Sequence, residues 1–376
     1  ILLASKKLLE NIDYKDIKYN FLINDIKAIL RFKFNQTAFL LETISQIANK
    51  YEKIIYTNYF SDAKYWLEKN YVSIDDTIKI LNLKNLEKLY CQKKFYPSRG
   101  QDLYTYKIEG LKYKEKKKII FNNAGYNFKR IISYFFFNKI KIAIPKKNLS
   151  YLKRFIFNLI GFELYDFKKT NNKALNDLPN LEINFSYKNF DLSEVLKNEL
   201  ISAKFFLGDL VEKYKAVLNY YSSSNIKLTI CNSNRELGAV LLEASNNKKI
   251  QSILISHGTI SRSYDQFDKI YKEYIAEGVF LGNSDIKTIQ SKICKMSLET
   301  LNVSGTTVET GNLVFSENLK NTTKNKKIIT YAVTNKKLTS LQMHGVEYFF
   351  EFYKNLEALN EFSKNEKYQI IVHLHP

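Results

Sequence analysis

One stretch, from Ser224 to Thr259, constrains the fold of this chain more than any other, because it spells a strand, a helix and a second strand in immediate succession. Ile226-Lys-Leu-Thr-Ile230 has the β-branched character of a strand and breaks at the polar run Cys231-Asn-Ser-Asn234. Leu237, Val240, Leu241 and Ala244 then recur at helical spacing, which predicts a helix from about Arg235 through Ala244, stopped by Asn246-Asn247. Ile250 to Ser256 is a continuous apolar run of the kind that lies inside a parallel sheet covered on both faces. The second strand of this βαβ unit runs directly into His257-Gly258-Thr259.

The same alternation extends in both directions. Apolar residues at helical spacing, among them Phe21, Ile23, Ile26, Ile29 and Leu30, predict helix within residues 1–50. Strands are expected at Lys53–Thr57, Lys118–Phe121 and Lys139–Ile144, with helices over Ser61–Asn70 and after Asn127. Further along, a strand is expected around Tyr274–Phe280, a helix from Ser284 to about Lys295, and a strand end at Val308–Asn312. Strand–helix alternation of this kind predicts an α/β fold with a parallel sheet. The polar, charged stretch Asn318–Lys327 reads as an exposed connection. Beyond it a strand (Lys327–Ala332), a loop (Thr334–Ser340), a helix (about Gly345–Ser363) and a strand (Tyr368–His373) open a second unit. Two domains are therefore expected, 1–317 with a helical N-terminal region and 326–376. The second is expected to be truncated, since two strands alone leave sheet edges unpaired.

Composition narrows the partners. The 376 residues are 45% hydrophobic, enough for a substantial core, and carry 58 Lys+Arg against 38 Asp+Glu, a formal charge of +20. Such a balance points to polyanions, anionic membrane or phosphorylated ligands. The charge is mostly Lys, interleaved with Ile, Asn, Tyr and Phe along the whole chain, and no Arg cluster, zinc-finger spacing or RNP-like motif occurs, so nucleic acid is not an expected partner. Cys91, Cys231 and Cys294 are far apart and form no C-x-x-C pair, which gives neither a disulfide framework nor a zinc site and fits a cytoplasmic setting. Arg130–Pro145 is the most apolar stretch, but it is shorter than the about 20 residues of a membrane span and is interrupted by Lys. That segment and Tyr151–Phe167 admit two readings: solvated Lys on buried elements, or peripheral contact with an anionic membrane face.

Several residues carry chemistry. Ligands of open α/β sheets bind at the carboxyl ends of strands where the strand order reverses, and His257 ends a strand. Its imidazole can take a hydroxyl proton near neutral pH, and Gly258 lets backbone approach a ligand. The hydroxyls of Ser256, Thr259, Ser261 and Ser263 are near it, and with the acid Asp265 they are suited to orient the histidine or the substrate. A histidine hydrogen-bonded at a strand end for structural reasons is the competing reading. His375-Pro376 ends the last expected strand, and His373 shares its face with His375. No acid or cysteine nearby completes a metal set, so no metal is expected. Thr334-Asn335-Lys336-Lys337 has hydroxyl, amide and ammonium groups suited to a phosphate. Neither G-x-x-x-x-G-K-S/T nor G-x-G-x-x-G is present, which argues against P-loop chemistry and ordinary dinucleotide binding.

Four features occur in a telling order: Glu236-Leu-Gly-Ala-Val-Leu-Leu-Glu-Ala244 leading to Ile253-Leu-Ile-Ser-His-Gly258; Thr310-Gly-Asn312; Lys326-Lys-Ile-Ile-Thr-Tyr-Ala332; and His375-Pro376. In this order they resemble the GT-B glycosyltransferases that build bacterial surface carbohydrate, a group that includes the CDP-glycerol glycerophosphotransferases and the capsule-type Kdo and sialic-acid-like transferases. The resemblance covers about 225–376, and its motifs are short. It implies two Rossmann-like domains and a metal-independent transferase in capsule or lipopolysaccharide synthesis. That enzyme would take a sugar from a nucleotide donor to a hydroxyl of a glycan or glycolipid, without a cofactor. By the same resemblance, His257 is the base on the acceptor, and His375 lies near the donor phosphate. Gly258, Thr259, Glu236, Thr334, Asn335 and Lys336 are the remaining substrate- or nucleotide-binding candidates. Ser256 stands where the glycerophosphotransferases commonly carry an aromatic residue, which points away from CDP-glycerol and towards a nucleotide sugar. A nucleotide-sugar epimerase of the same architecture and a non-catalytic assembly protein are the alternatives.

Overall fold

The computed structural model describes residues 1–15, 17–51, 54–57, 81, 86–90, 103–111, 118–122, 128–146, 149–173, 181–256, 260–301, 303–311, 327–333, 348–366 and 368–374. Helices α1 (Leu2–Glu10) and α2 (Ile23–Ala48) come first, then a parallel strand pair, β1 (Ile54–Thr57) and β2 (Leu86–Tyr90). Next are β3 (Tyr104–Glu109), β4 (Lys118–Asn122), α3 (Phe128–Phe137), β5 (Ile142–Pro145), α4 (Tyr151–Leu159) and β6 (Glu163–Lys173). A short hairpin, β7 (Ser186–Tyr187) and β8 (Phe190–Asp191), leads into the long α5 (Ser193–Ser222). Then follow β9 (Ile226–Cys231), α6 (Glu236–Asn247), β10 (Gln251–Ile255), α7 (Gln266–Val279), β11 (Ile286–Ile289), α8 (Lys292–Glu299) and β12 (Thr306–Glu309). Last are β13 (Ile328–Val333), α9 (Tyr348–Glu366) and β14 (Gln369–Leu374).

The protein is α/β. Eight strands form one sheet in the order β12-β11-β10-β9-β4-β5-β6-β3, parallel throughout except for the edge strand β3, which runs antiparallel to β6. Alternate residues of its central strands feed two cores. Ile119, Phe121, Ile142, Ile144, Leu164, Ile230 and Ile253 turn to the face covered by α3 and α4, where Ile132, Phe135 and Phe157 meet them. Ile120, Ala143, Tyr165, Cys231 and Leu254 turn to the opposite face and join α1, α2, α5, α6 and part of α7 in the larger core. Buried hydroxyls stitch this second layer together. Ser245 on α6 donates to Thr229 on β9 at 2.7 Å, and Thr229 shares a 3.0 Å bond with Tyr221 on α5.

The expected strands at Lys53–Thr57, Lys118–Phe121, Lys139–Ile144 and Ile250–Ser256, and the helix after Asn127, correspond to β1, β4, β5, β10 and α3; the expected helix over Ser61–Asn70 lies outside the described residues. Two expectations fail. Tyr274–Phe280 is not a strand but the last turns of α7 with the residue that caps them, and Ser284–Lys295 is not one helix but β11 followed by α8. α7 misleads because it is packed on two sides, so Ile270, Lys272, Tyr274, Ala276 and Gly278 are all buried and the buried set alternates like a strand. Its start is fixed locally, by the Asp265 side chain accepting the Asp268 N–H at 2.7 Å. β11 hides its strand character behind Lys287, which is fully buried with its ammonium donating to the carbonyls of Ser284 and Ser304. Burial lowers that ammonium to about 8. Beyond 311, β13 and β14 form a separate parallel pair, in register from Ile328↔Gln369 to Val333↔Leu374.

Candidate functional site at the carboxyl edge of the sheet

The strand order fixes where a ligand crevice belongs. From β4 the chain moves one way through β5 to β6, and from β9 it moves the other way through β10 and β11 to β12, so the order reverses between β4 and β9. The carboxyl ends there are Asn122 and Cys231. The Asn232 N–H donates to the Asn122 carbonyl at 3.3 Å, joining the two strand exits. Cys231 is buried, and burial holds its thiol well above the usual range, so it is no thiolate nucleophile.

The loop 232–235 is tightly built. The Asn234 N–H donates to the Gly278 carbonyl at 3.0 Å, and its side-chain amide donates to the Leu281 carbonyl. The chain then enters α6 through Glu236 at a φ of 52°, a left-handed conformation that costs a non-glycine residue energy. Two residues on, Gly238 lies so close to the preceding turn that a Cβ would sit 2.1 Å from the Ser233 carbonyl oxygen.

At the start of α6, where an α/β sheet commonly receives a phosphate, an internal carboxylate is seated instead. Asp25 of α2 is fully buried and accepts the Glu236 N–H at 3.0 Å and 3.3 Å. Around it lies a charged cluster. Arg31 donates to Glu277 at 2.5 Å and stacks 3.3 Å from the centre of the Tyr274 ring; Lys27 pairs with Glu277 at 3.7 Å. The Arg235 guanidinium fits over Gly278, where a Cβ would be 3.0 Å from its central carbon. Burial lowers the Arg235 pKa. Burial also raises the Asp25 carboxyl to about 7, offset in part by the Glu236 N–H and by Arg235.

A raised carboxyl favours the protonated form in the folded state, so its stabilising share is present below the ordinary value of 3.8 and is lost as pH rises through about 7. Asp25→Asn, whose amide oxygen still accepts from Glu236, should therefore leave stability unchanged near pH 4 and raise it by an amount on the order of 4 kcal/mol near pH 8. Urea denaturation of both proteins across this range checks it; a variant that is less stable at the alkaline end contradicts the burial account.

Next to the switch point, β10 ends at Ile255 and continues into buried Ser256, whose N–H donates to the Thr288 hydroxyl at 3.1 Å. The Ser256 carbonyl accepts from the Gln290 side-chain amide at 3.4 Å. His257, Gly258 and Thr259 lie outside the described residues, as do Thr334, Asn335, Lys336 and His375. Asp265 is exposed at the start of α7, with one carboxylate oxygen engaged in its cap. Glu236 is half-buried, and its backbone N–H is taken by Asp25. The parallel register ends on Val333↔Leu374, so the chain leaves β13 and β14 side by side, one residue before Thr334 and His375.

Sequence reasoning missed Asn122, the 232–235 loop and Asp25. A signal for Asp25 was present, since it shares a helical face with the apolar Ile29, four residues on. Among the described residues, no three His, Cys, Asp or Glu side chains are grouped to hold a metal ion. The backbone, hydroxyl and amide groups named at this edge are engaged with one another. No protein-family model matches the chain, and no curated protein matches it.

Proposed function

We propose that the chain is a glycosyltransferase moving a sugar from a nucleotide-activated donor to a hydroxyl of a cell-surface glycan or glycolipid. The observation that carries this reading is the reversal of strand order between β4 and β9, with β10, the strand that runs on into His257, as the next strand over. The strained entry into α6 at Glu236 marks the same edge, and stored backbone strain tends to gather at ligand sites.

In this reading two Rossmann-like domains, 1–317 and the unit opened by β13, α9 and β14, face each other across a cleft. The acceptor hydroxyl attacks the anomeric carbon of the donor, the bond to the nucleotide phosphate breaks, and His257 takes the hydroxyl proton. Asp265 orients His257 or the acceptor. Gly258, Thr259 and Glu236 line the acceptor side. Thr334, Asn335, Lys336 and His375 stabilise the charge that develops on the departing phosphate. The common exit edge of β13 and β14 supports assigning these four to one site.

Thermal-shift measurement against CMP-, CDP-, UDP- and GDP-linked sugars tests the reading. A true donor at a hundred times its Kd stabilises the fold by about 2.7 kcal/mol, a rise of several degrees. No shift with any of the four classes sinks the proposal. A donor that is altered without any acceptor present points to an epimerase instead. One observation favours a non-catalytic assembly protein, namely that Asp25 already fills the anion position at the start of α6; that reading expects no shift from any nucleotide.

A further inference from the structure

From Lys116 to Phe162 the chain carries eleven Lys or Arg and no Asp or Glu, although the whole chain has 38 acids in 376 residues. This stretch contains α3 and α4, which lie side by side on one face of the sheet, with the Phe128 and Phe157 rings 5.9 Å apart. A surface helix ordinarily turns its apolar stripe to the core. α4 does the reverse. Phe157 alone on this helix is buried, while Tyr151, Leu152, Phe155, Ile156 and Leu159, spaced along the opposite side, are 86%, 66%, 56%, 43% and 70% exposed. The end of α3 adds Tyr134, Phe136 and Phe137 at 60%, 44% and 78%. Lys118 is buried against Glu163, but Lys139, Lys141 and Lys153, from the same stretch of chain, are exposed.

We propose that the outward faces of α3 and α4 dock the protein on an anionic lipid surface, with the aromatic and aliphatic side chains entering the headgroup boundary and the lysines contacting lipid phosphates. The charge selects this occupant. A second copy would bring a like-charged face, which repels. A nucleic acid would satisfy the lysines but leave Leu152, Ile156 and Leu159 without a partner, whereas the acyl boundary receives them. Each basic residue held near an anionic leaflet raises affinity roughly fivefold. No described helix is long and apolar enough to cross a membrane, so the contact is peripheral. The inference is independent of the glycosyl-transfer reading, because it is read without donor or acceptor.

The test is vesicle co-sedimentation of the full chain, comparing pure phosphatidylcholine with vesicles holding about 30% phosphatidylglycerol. Binding should be at least roughly tenfold tighter to the anionic vesicles. The triple variant Leu152→Ser, Phe155→Ser, Leu159→Ser removes only exposed groups, so its melting temperature should be unchanged while anionic-vesicle binding falls by roughly tenfold or more. Lys139→Glu with Lys153→Glu should weaken binding to the anionic vesicles alone. Equal binding to both vesicle types, or a triple variant that binds undiminished, overturns the proposal. So does a solution dimer that the triple variant dissociates, since the face would then belong to a second copy.

Discussion

On the proposed glycosyl-transfer reading, His257→Ala should lower transfer by roughly 10²–10⁴-fold while the protein stays folded. The size follows from general-base catalysis, which contributes about that factor when the base is lost and the rest of the site remains. The sparing of the fold follows from the neighbours. The strand before His257 is held by its own pairing to β9 and β11, and by the Ser256 N–H on the Thr288 hydroxyl. If the imidazole is the base, the loss falls on kcat at saturating donor, and donor stabilisation in a thermal shift persists. Should the variant keep near-normal turnover with its true donor, His257 is not the base. A loss of folding in parallel with activity assigns it a structural role instead.

Gly238→Ala should cost about 3 kcal/mol or more, lowering the melting temperature by roughly 6–12 °C on the usual scale for a large domain. The added Cβ would lie 2.1 Å from the Ser233 oxygen and 3.0 Å from its carbonyl carbon, both backbone atoms. The loop cannot withdraw freely. Asn234 is bonded to Gly278, and Glu236 to Asp25, so displacement of Ser233 disturbs a buried carboxylate as well. Gly208→Ala is the contrasting case, because its Cβ would meet only the side-chain end of Leu103, at 2.7 Å, which can change rotamer. Thermal melts of the two variants separate the explanations. Equal, mild losses would falsify the view that the switch-point loop is rigidly packed against α6.

Much of the fold was legible because hydrophobic period is a local property. β4, β5, β9, β10 and α6 can each be read from residues within one element. The errors have the same origin. Lys287 in β11 and the doubly buried α7 break the link between local pattern and burial, through carbonyls of Ser284 and Ser304 and through packing on both sides. The long α5 and edge strand β3 were not anticipated. They meet through Tyr106, whose hydroxyl donates to Asp209, a contact no window of sequence contains.

The candidate site was less legible than the fold. Short motifs direct attention to His257 and to the exits of β13 and β14. Nothing in them says that the strand order reverses at β4 and β9, or that Asp25 occupies the start of α6. The sequence by itself determined the α/β class, the βαβ unit over 226–255 and the acid-free basic stretch over 116–162, since periodicity and charge are carried by neighbouring residues. Only the tertiary structure decided which strands lie together, that α4 turns its apolar side outward, and that an acid 211 residues away bonds the Glu236 N–H. Those outcomes depend on which distant surfaces bury each other, and closing a long loop costs little more than closing a short one. Separation along the chain therefore does not forbid such a pairing, and local pattern does not announce it.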